Sequence, residues 1–146
     1  MKKVAEAFTP DDTFRLGFQM AEKAAPGDVI ALLGDLGVGK TVFTKGFAAG
    51  LGIQEDISSP TFTILQLYEE GRLPLYHFDV YRIGDPEEMM EVGWDDYVYG
   101  NGVCLIEWAN LIEDLMEEIP DGKLKRVTIE KNPEKGFDYR KITVEG

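Results

Sequence analysis

The stretch Gly34-Asp35-Leu36-Gly37-Val38-Gly39-Lys40-Thr41 satisfies the phosphate-binding pattern G-x-x-x-x-G-K-[ST] at every fixed position. Such a match gains meaning from its flanks. Val29-Ile30-Ala31-Leu32-Leu33 precedes it, an apolar run with the length of a buried strand, and Phe43, Phe47, Ala48 and Leu51 follow at helical spacing with Gly50 and Gly52 as a stop. Strand, glycine-rich loop and helix in that order make a Walker A loop and commit the chain to an α/β fold.

The loop's residue types follow from its chemistry. Successive backbone N–H groups and the positive end of the helix dipole make a concave anion site, which side chains at Gly34, Gly37 and Gly39 would obstruct. Lys40 is expected to reach the β- and γ-phosphates of a nucleotide as a point charge. The Thr41 hydroxyl is expected to take one position on a Mg²⁺ ion bridging the same phosphates. Asp35, Leu36, Gly37, Val38, Gly39, Lys40 and Thr41 are thus the expected nucleotide contacts. A ligand-free glycine turn is the bland alternative, and the agreement of spacing, strand and helix weighs against it.

At 146 residues and 44% hydrophobic, residues 1–146 are expected to form one domain without linker or repeat. A net charge of −12 argues against stable direct binding to nucleic acid or to an anionic membrane, which needs clustered Lys and Arg, so partners should be neutral or basic. The one cysteine, Cys104, lies in Val103-Cys104-Leu105-Ile106 and reads as a small buried hydrophobe rather than a nucleophile or metal ligand. No apolar run approaches the ~20 residues of a membrane span, and Met1-Lys2-Lys3 leads into Val4-Ala5-Glu6 rather than a signal core. The expectation is a cytoplasmic chain, neither exported nor embedded.

In chain order, residues 4–9 read as a short edge strand. Pro10-Asp11-Asp12-Thr13 supplies capping chemistry for a helix with Phe14, Gly17, Phe18, Ala21, Ala24 and Ala25 on its apolar face, ended by Pro26-Gly27. After the loop's helix, Ile57-Ser58-Ser59-Pro60-Thr61-Phe62 permits two readings. Thr61 or a serine is placed as a switch near a γ-phosphate, or Ser59 and Thr61 bond their own backbone in a turn. Residues 63–68 and 75–80 read as an antiparallel pair. The second of these strands ends near Asp79, which stands where it can face a nucleotide, and His77 on the same side either orients Asp79 or is a satisfied core histidine. Asp85-Pro86-Glu87-Glu88 reads as a helix start with structural acids, and the aromatic cluster Trp94, Tyr97 and Tyr99 as core or partner surface.

Val103 to Ile106 runs straight into Glu107, four apolar residues and then an acid. That is the Walker B arrangement, whose carboxylate holds Mg²⁺ directly or through water opposite the loop's hydroxyl. Trp108, Ile112, Leu115, Met116 and Ile119 follow at helical spacing, with Trp108 either a lid over the nucleotide or core. Final strands are expected at about 124–130 and 137–144, completing a P-loop NTPase-like three-layer sandwich with a mixed, partly parallel central sheet.

Taken together, the Walker A loop, Ser59-Pro60-Thr61-Phe62, His77-Phe78-Asp79-Val80-Tyr81-Arg82 and Ile106-Glu107-Trp108 resemble the TsaE (YjeE) family in order and separation, over nearly the whole chain. One departure is Val42, where the family usually has a second threonine. The resemblance implies a Mg²⁺-dependent ATPase that supports repeated turnover of a TsaD–TsaB complex making threonylcarbamoyladenosine in tRNA. It implies ATP and Mg²⁺ as cofactors, Thr41 and Glu107 as metal ligands, Asp79 as the group that positions or activates the attacking water, Lys40 on the phosphates, and Thr61 as the γ-phosphate sensor. A small-molecule kinase or a nucleotide-dependent regulatory switch is the alternative. Arg15, Arg72, Arg82, Arg126 and Arg140 are scattered rather than gathered into a kinase lid, and the absence of an Asn-Lys-x-Asp guanine contact favours adenine.

Overall fold

The computed structural model describes residues 2–35, 37–57 and 64–146. Its centre is a mixed sheet of β1 (Lys2–Ala7), β2 (Val29–Leu33), β3 (Leu65–Tyr68), β4 (Leu75–Asp79), β5 (Val103–Glu107), β6 (Leu124–Lys131) and β7 (Arg140–Glu145), in the order β1-β7-β6-β2-β5-β4-β3. β6, β2, β5 and β4 run parallel, while β7 joins β6, β1 joins β7 and β3 joins β4 antiparallel. β2 and β5 lie at the centre and are buried on both faces, which is why both are apolar almost without interruption.

Alternation along these strands feeds two cores. Ile30, Leu32, Val103 and Leu105 face α1 (Pro10–Glu22) and α2 (Lys40–Gly50), packing with Phe43, Phe47 and Leu51. Val29, Ala31, Cys104 and Ile106 face the opposite layer of α3 (Glu88–Glu91), α4 (Trp94–Val98), a 3₁₀ turn (Ala109–Ile112) and α5 (Glu113–Glu117), among Met89, Trp94, Ile112 and Met116. The result is the expected α/β three-layer sandwich. Trp94 is a core residue, its ring edge-on to Phe78 at 5.3 Å. Burial pushes the Cys104 thiol up to about 12, so it stays protonated and packs as a hydrophobe.

Helix α1 begins at Pro10 and is capped by the residue before it, the Thr9 hydroxyl accepting from Asp12 N at 3.2 Å. Its buried face is Thr13, Gly17 and Ala21, whereas Phe14, expected in the core, is 37% exposed. The reason is how closely α1 and α2 approach. A Cβ at Gly46 would overlap the Phe14 carbonyl, and one at Gly17 would overlap that of Phe43, so the helices touch through backbone and leave no room for a phenyl ring between them. The C-terminus of α1 has no basic residue in its last turn. Arg72, between β3 and β4, supplies the charge from outside, donating to the carbonyls of Ala21 at 2.6 Å and Ala24 at 2.9 Å.

Other boundaries differ from the sequence expectation. The first strand spans Lys2–Ala7 rather than 4–9, and the last begins at Arg140, with Phe137 90% exposed in the connection before it. Asp85 and Glu88 do act structurally, accepting from Glu87 N at 3.0 Å and Gly84 N at 3.3 Å in the turn before α3. Among the described residues, no helix is long and apolar enough to cross a membrane.

The helix contact generates the first prediction. Gly46→Ala forces a methyl into a backbone carbonyl and is expected to lower stability by about 1–3 kcal/mol. Urea unfolding should show this as a lower midpoint with an unchanged slope. A midpoint equal to wild type would mean that the helix pair separates freely.

Candidate functional site

β2 delivers the chain to the loop at its C-terminal edge, where open parallel sheets place their ligand crevices. Gly34 is required there by close approach: a Cβ would sit 2.7 Å from the Ile129 carbonyl on β6 and 2.8 Å from a Val38 methyl. Lys40 is the first residue of α2 and is only 6% exposed. Its Nζ donates to the Gly34 carbonyl at 2.7 Å and lies 3.7 Å from the centre of the Trp108 ring. Burial lowers the Lys40 pKa, and the negative charges of Glu107, Asp79 and Asp35, in that order, oppose the shift.

Strand order brings those acids in. β5 lies beside β2 and β4 beside β5, with Leu32 opposite Glu107 and Asp79 opposite Glu107 in register, so the two strand-end carboxylates stand side by side next to the loop. Asp79 Oδ1 accepts from Tyr81 N at 3.0 Å. Burial raises the Asp79 pKa above the ordinary carboxylate value, the Tyr81 amide works against that, and Glu107 adds to it.

Glu107 is 4% exposed and His77 1%. His77 Nε2 lies 2.6 Å from Glu107 Oε2, so the imidazole holds Glu107 on the neighbouring strand and does not bond Asp79. A carboxylate can only accept, which puts the proton on Nε2, and His77 Nδ1 is left without a hydrogen-bond partner among the described residues. The sequence reading of His77 as an orienter of Asp79 is therefore corrected, since its hydrogen bond goes to Glu107, while its burial agrees with the core reading.

Trp108 is also not the start of a helical stripe. Its φ of 64° places it in the left-handed region, alone among the described non-glycine residues, and turns its half-buried ring over Lys40 and against Tyr81, with ring centres 4.7 Å apart. Only after it does the chain enter the 3₁₀ turn and α5. Thr41 is exposed at the second position of α2. Leu36, Thr61 and the rest of Ser59-Pro60-Thr61-Phe62 lie outside the described residues. Arg140, one of the arginines scattered in sequence, arrives at the loop, its Nε donating to the Val38 carbonyl at 2.6 Å. No sequence signal marked it, because its partner is a backbone atom 102 residues away.

A family model described as threonylcarbamoyl adenosine biosynthesis protein TsaE matches residues 8–142. The chain belongs to the TsaE family. It is 51% identical over 134 residues to the TsaE protein of Bacillus subtilis, covering 92% of this chain and 79% of that one. It is 49% identical over 110 residues to the TsaE protein of Treponema pallidum, covering 75% and 78% of the two chains. The crystal structure of Bacillus subtilis YdiB superposes with a TM-score of 0.80 at 43% identity, covering 99% of this chain and 84% of that one. As a TsaE family member carrying this loop, the chain is a P-loop nucleotide-binding protein with a P-loop NTPase-like fold.

The donors here suit the metal implied by a TsaE site. Thr41 and Glu107 offer hard oxygen atoms, and among the described residues no three His, Cys, Asp or Glu side chains cluster to hold an ion on their own. Mg²⁺ is bound in that manner, through one or two protein oxygens with substrate phosphates and water completing the shell.

The raised Asp79 pKa has a consequence for stability. A carboxyl whose folded pKa exceeds its ordinary value of 3.8 contributes stability that is fully present below that value and is lost as pH rises through the folded one. Asp79→Asn, neutral throughout, is therefore expected to melt higher than wild type at neutral pH without Mg²⁺ or nucleotide. The gap should close as pH falls into the ordinary carboxylate range. Identical melting temperatures at neutral pH would show that the Asp79 charge carries no penalty.

Proposed function

We propose that this chain binds ATP with Mg²⁺ at the loop and hydrolyses it, and that the hydrolysis supports turnover of a TsaD–TsaB complex in the formation of threonylcarbamoyladenosine in tRNA. The observation that carries the reading is the convergence of buried Lys40 with Asp79 and Glu107, brought from two neighbouring parallel strands to one edge of the sheet. The names of the Bacillus subtilis and Treponema pallidum relatives support the pathway.

Each residue has a role in this reading. The backbone amides of Asp35 to Thr41, with Leu36 among them, cradle the phosphates, and Lys40 leaves the Gly34 carbonyl to neutralise them. Thr41 and Glu107 hold Mg²⁺, which when bound offsets the charge of the β- and γ-phosphate oxygens, and His77 keeps the Glu107 carboxylate in one orientation. Asp79, with its raised pKa, orients the attacking water and accepts its proton. Thr61 senses the γ-phosphate. Residues 1–146 act as one domain in the cytoplasm, and the net charge of −12 directs the chain to the protein components of a tRNA-handling complex rather than to the tRNA.

Removing the Lys40 charge tests the site. Lys40→Ala is expected to weaken binding of an ATP analogue by about 10- to 100-fold, the worth of one charged hydrogen-bonding group. Calorimetric titration with Mg²⁺ present reads this directly, with circular dichroism to verify the fold. Wild-type affinity and hydrolysis in the variant would remove the loop from the mechanism.

Partner control is tested separately. If ATP and ADP leave the chain in conformations that TsaD–TsaB contacts differently, linkage gives different affinities for that complex, and a tenfold difference needs only about 1.4 kcal/mol. Titrating that complex with the chain in ADP and in a non-hydrolysable ATP analogue is expected to show at least such a ratio. Equal affinities, with ATPase activity unchanged in the complex, would leave a passive nucleotide-binding subunit.

A further inference from the structure

Backbone N–H groups that point into an anion site force the loop's carbonyls outward, where each needs a donor. At Val38 the donor is Arg140. Its Nε reaches the Val38 carbonyl at 2.6 Å, while Nη1 donates to the carbonyls of Phe137 at 3.0 Å and Tyr139 at 2.7 Å. The guanidinium thus joins the loop to the chain entering β7, and the fixed fork of an arginine suits it to bridge two segments at once. The Val38 side chain is 4% exposed, and the residues on either side of it, Gly37 at φ 78° and Gly39 at φ 107°, carry the least resistance to peptide rotation. Nothing within that tripeptide's own covalent geometry holds the Val38 carbonyl outward.

Arg140 brings a second effect. Among the described residues its hydrogen bonds go to carbonyls and none to a carboxylate, so its positive charge is not neutralised by an ion pair. It stands directly behind the loop, its Nε 4.0 Å from the position a Cβ of Gly39 would take, in a small cleft shared with Pro10, Val42 and Asp138.

We propose that Arg140 is a positioning residue of the phosphate loop: it locks the Val38 carbonyl outward so that the following amides face the anion, and it adds positive potential to the same seat. This rests on the loop being the nucleotide seat proposed above. In wild type the brace should be visible before any nucleotide binds.

Arg140→Met removes the donors and the charge, and Arg140→Lys keeps the charge without the fork. Hydrogen exchange of the nucleotide-free chain, read on the peptide spanning the loop, should rise about tenfold in Arg140→Met and less in Arg140→Lys, with β2 and β5 protected as in wild type. Binding of an ATP analogue should weaken about tenfold in Arg140→Met and recover in part in Arg140→Lys, with KM for ATP raised and kcat within about twofold. Wild-type loop exchange in Arg140→Met, or ATP-analogue affinity within about twofold of wild type despite faster exchange, overturns the assignment. If Arg140→Met does not fold, Arg140→Lys decides by the same readings, and its identity to wild type in loop exchange and affinity overturns the proposal. A wild-type chain that binds no ATP would instead refute the nucleotide reading, and loop exchange would still decide whether Arg140 braces Val38.

Discussion

An ammonium group withdrawn from water needs negative charge or carbonyl dipoles around it, and the position of Lys40 makes that requirement the organising constraint of this structure. The Gly34 carbonyl answers it at 2.7 Å, the face of Trp108 at 3.7 Å, and the carboxylates of Glu107 and Asp79 through space. Those carboxylates are available because β5 and β4 run parallel to β2 on the same side of it and end level with one another. An antiparallel strand at either place would have carried its last residue to the opposite edge of the sheet.

The same edge depends on how α2 is seated, since Lys40 and Thr41 form its first turn. Contact between α1 and α2 through backbone at Gly17 and Gly46 fixes that seat more tightly than interleaved side chains would. Arg72 then secures the far ends of both helices, its side chain on the carbonyls closing α1 and its own amide donating to the Leu51 carbonyl after α2 at 2.8 Å. Arg140 does the corresponding work at the near end, on the loop itself. Two arginines distant from the motif in sequence thus brace the unit that carries it.

Departures from local comfort gather at this site. Trp108 is held at positive φ, burial raises the Asp79 pKa, and His77 Nδ1 is buried without a partner among the described residues, a state that costs about 1–3 kcal/mol when no water relieves it. Elsewhere the described chain obeys the ordinary rules, with Thr9 capping α1, apolar central strands and a protonated buried thiol. Strain and unmet polarity concentrated at one edge fit the phosphate and metal site proposed for it, because charges arranged for a ligand are not arranged for stability.

Much of this could be read without coordinates. Local periodicity reports the environment of each segment directly, so β2, α2, the β3–β4 pair and β5 appear in the apolar pattern at nearly the observed limits, and Lys40, Asp79 and Glu107 are marked by their place at a motif or a strand end. Where two segments compete for one space, the pattern misleads: Phe14 looks like core until the neighbouring helix occupies that room, and Trp108 fits a helical stripe until its backbone turns the other way. The choice of His77 for Glu107 over Asp79, and the placement of Arg72 and Arg140 on remote carbonyls, left no trace in the sequence at all. Side-chain chemistry and spacing are properties of the chain. Which backbone carbonyl or neighbouring carboxylate a long polar side chain will meet is a property of strand order and helix separation, and only the folded structure decides it.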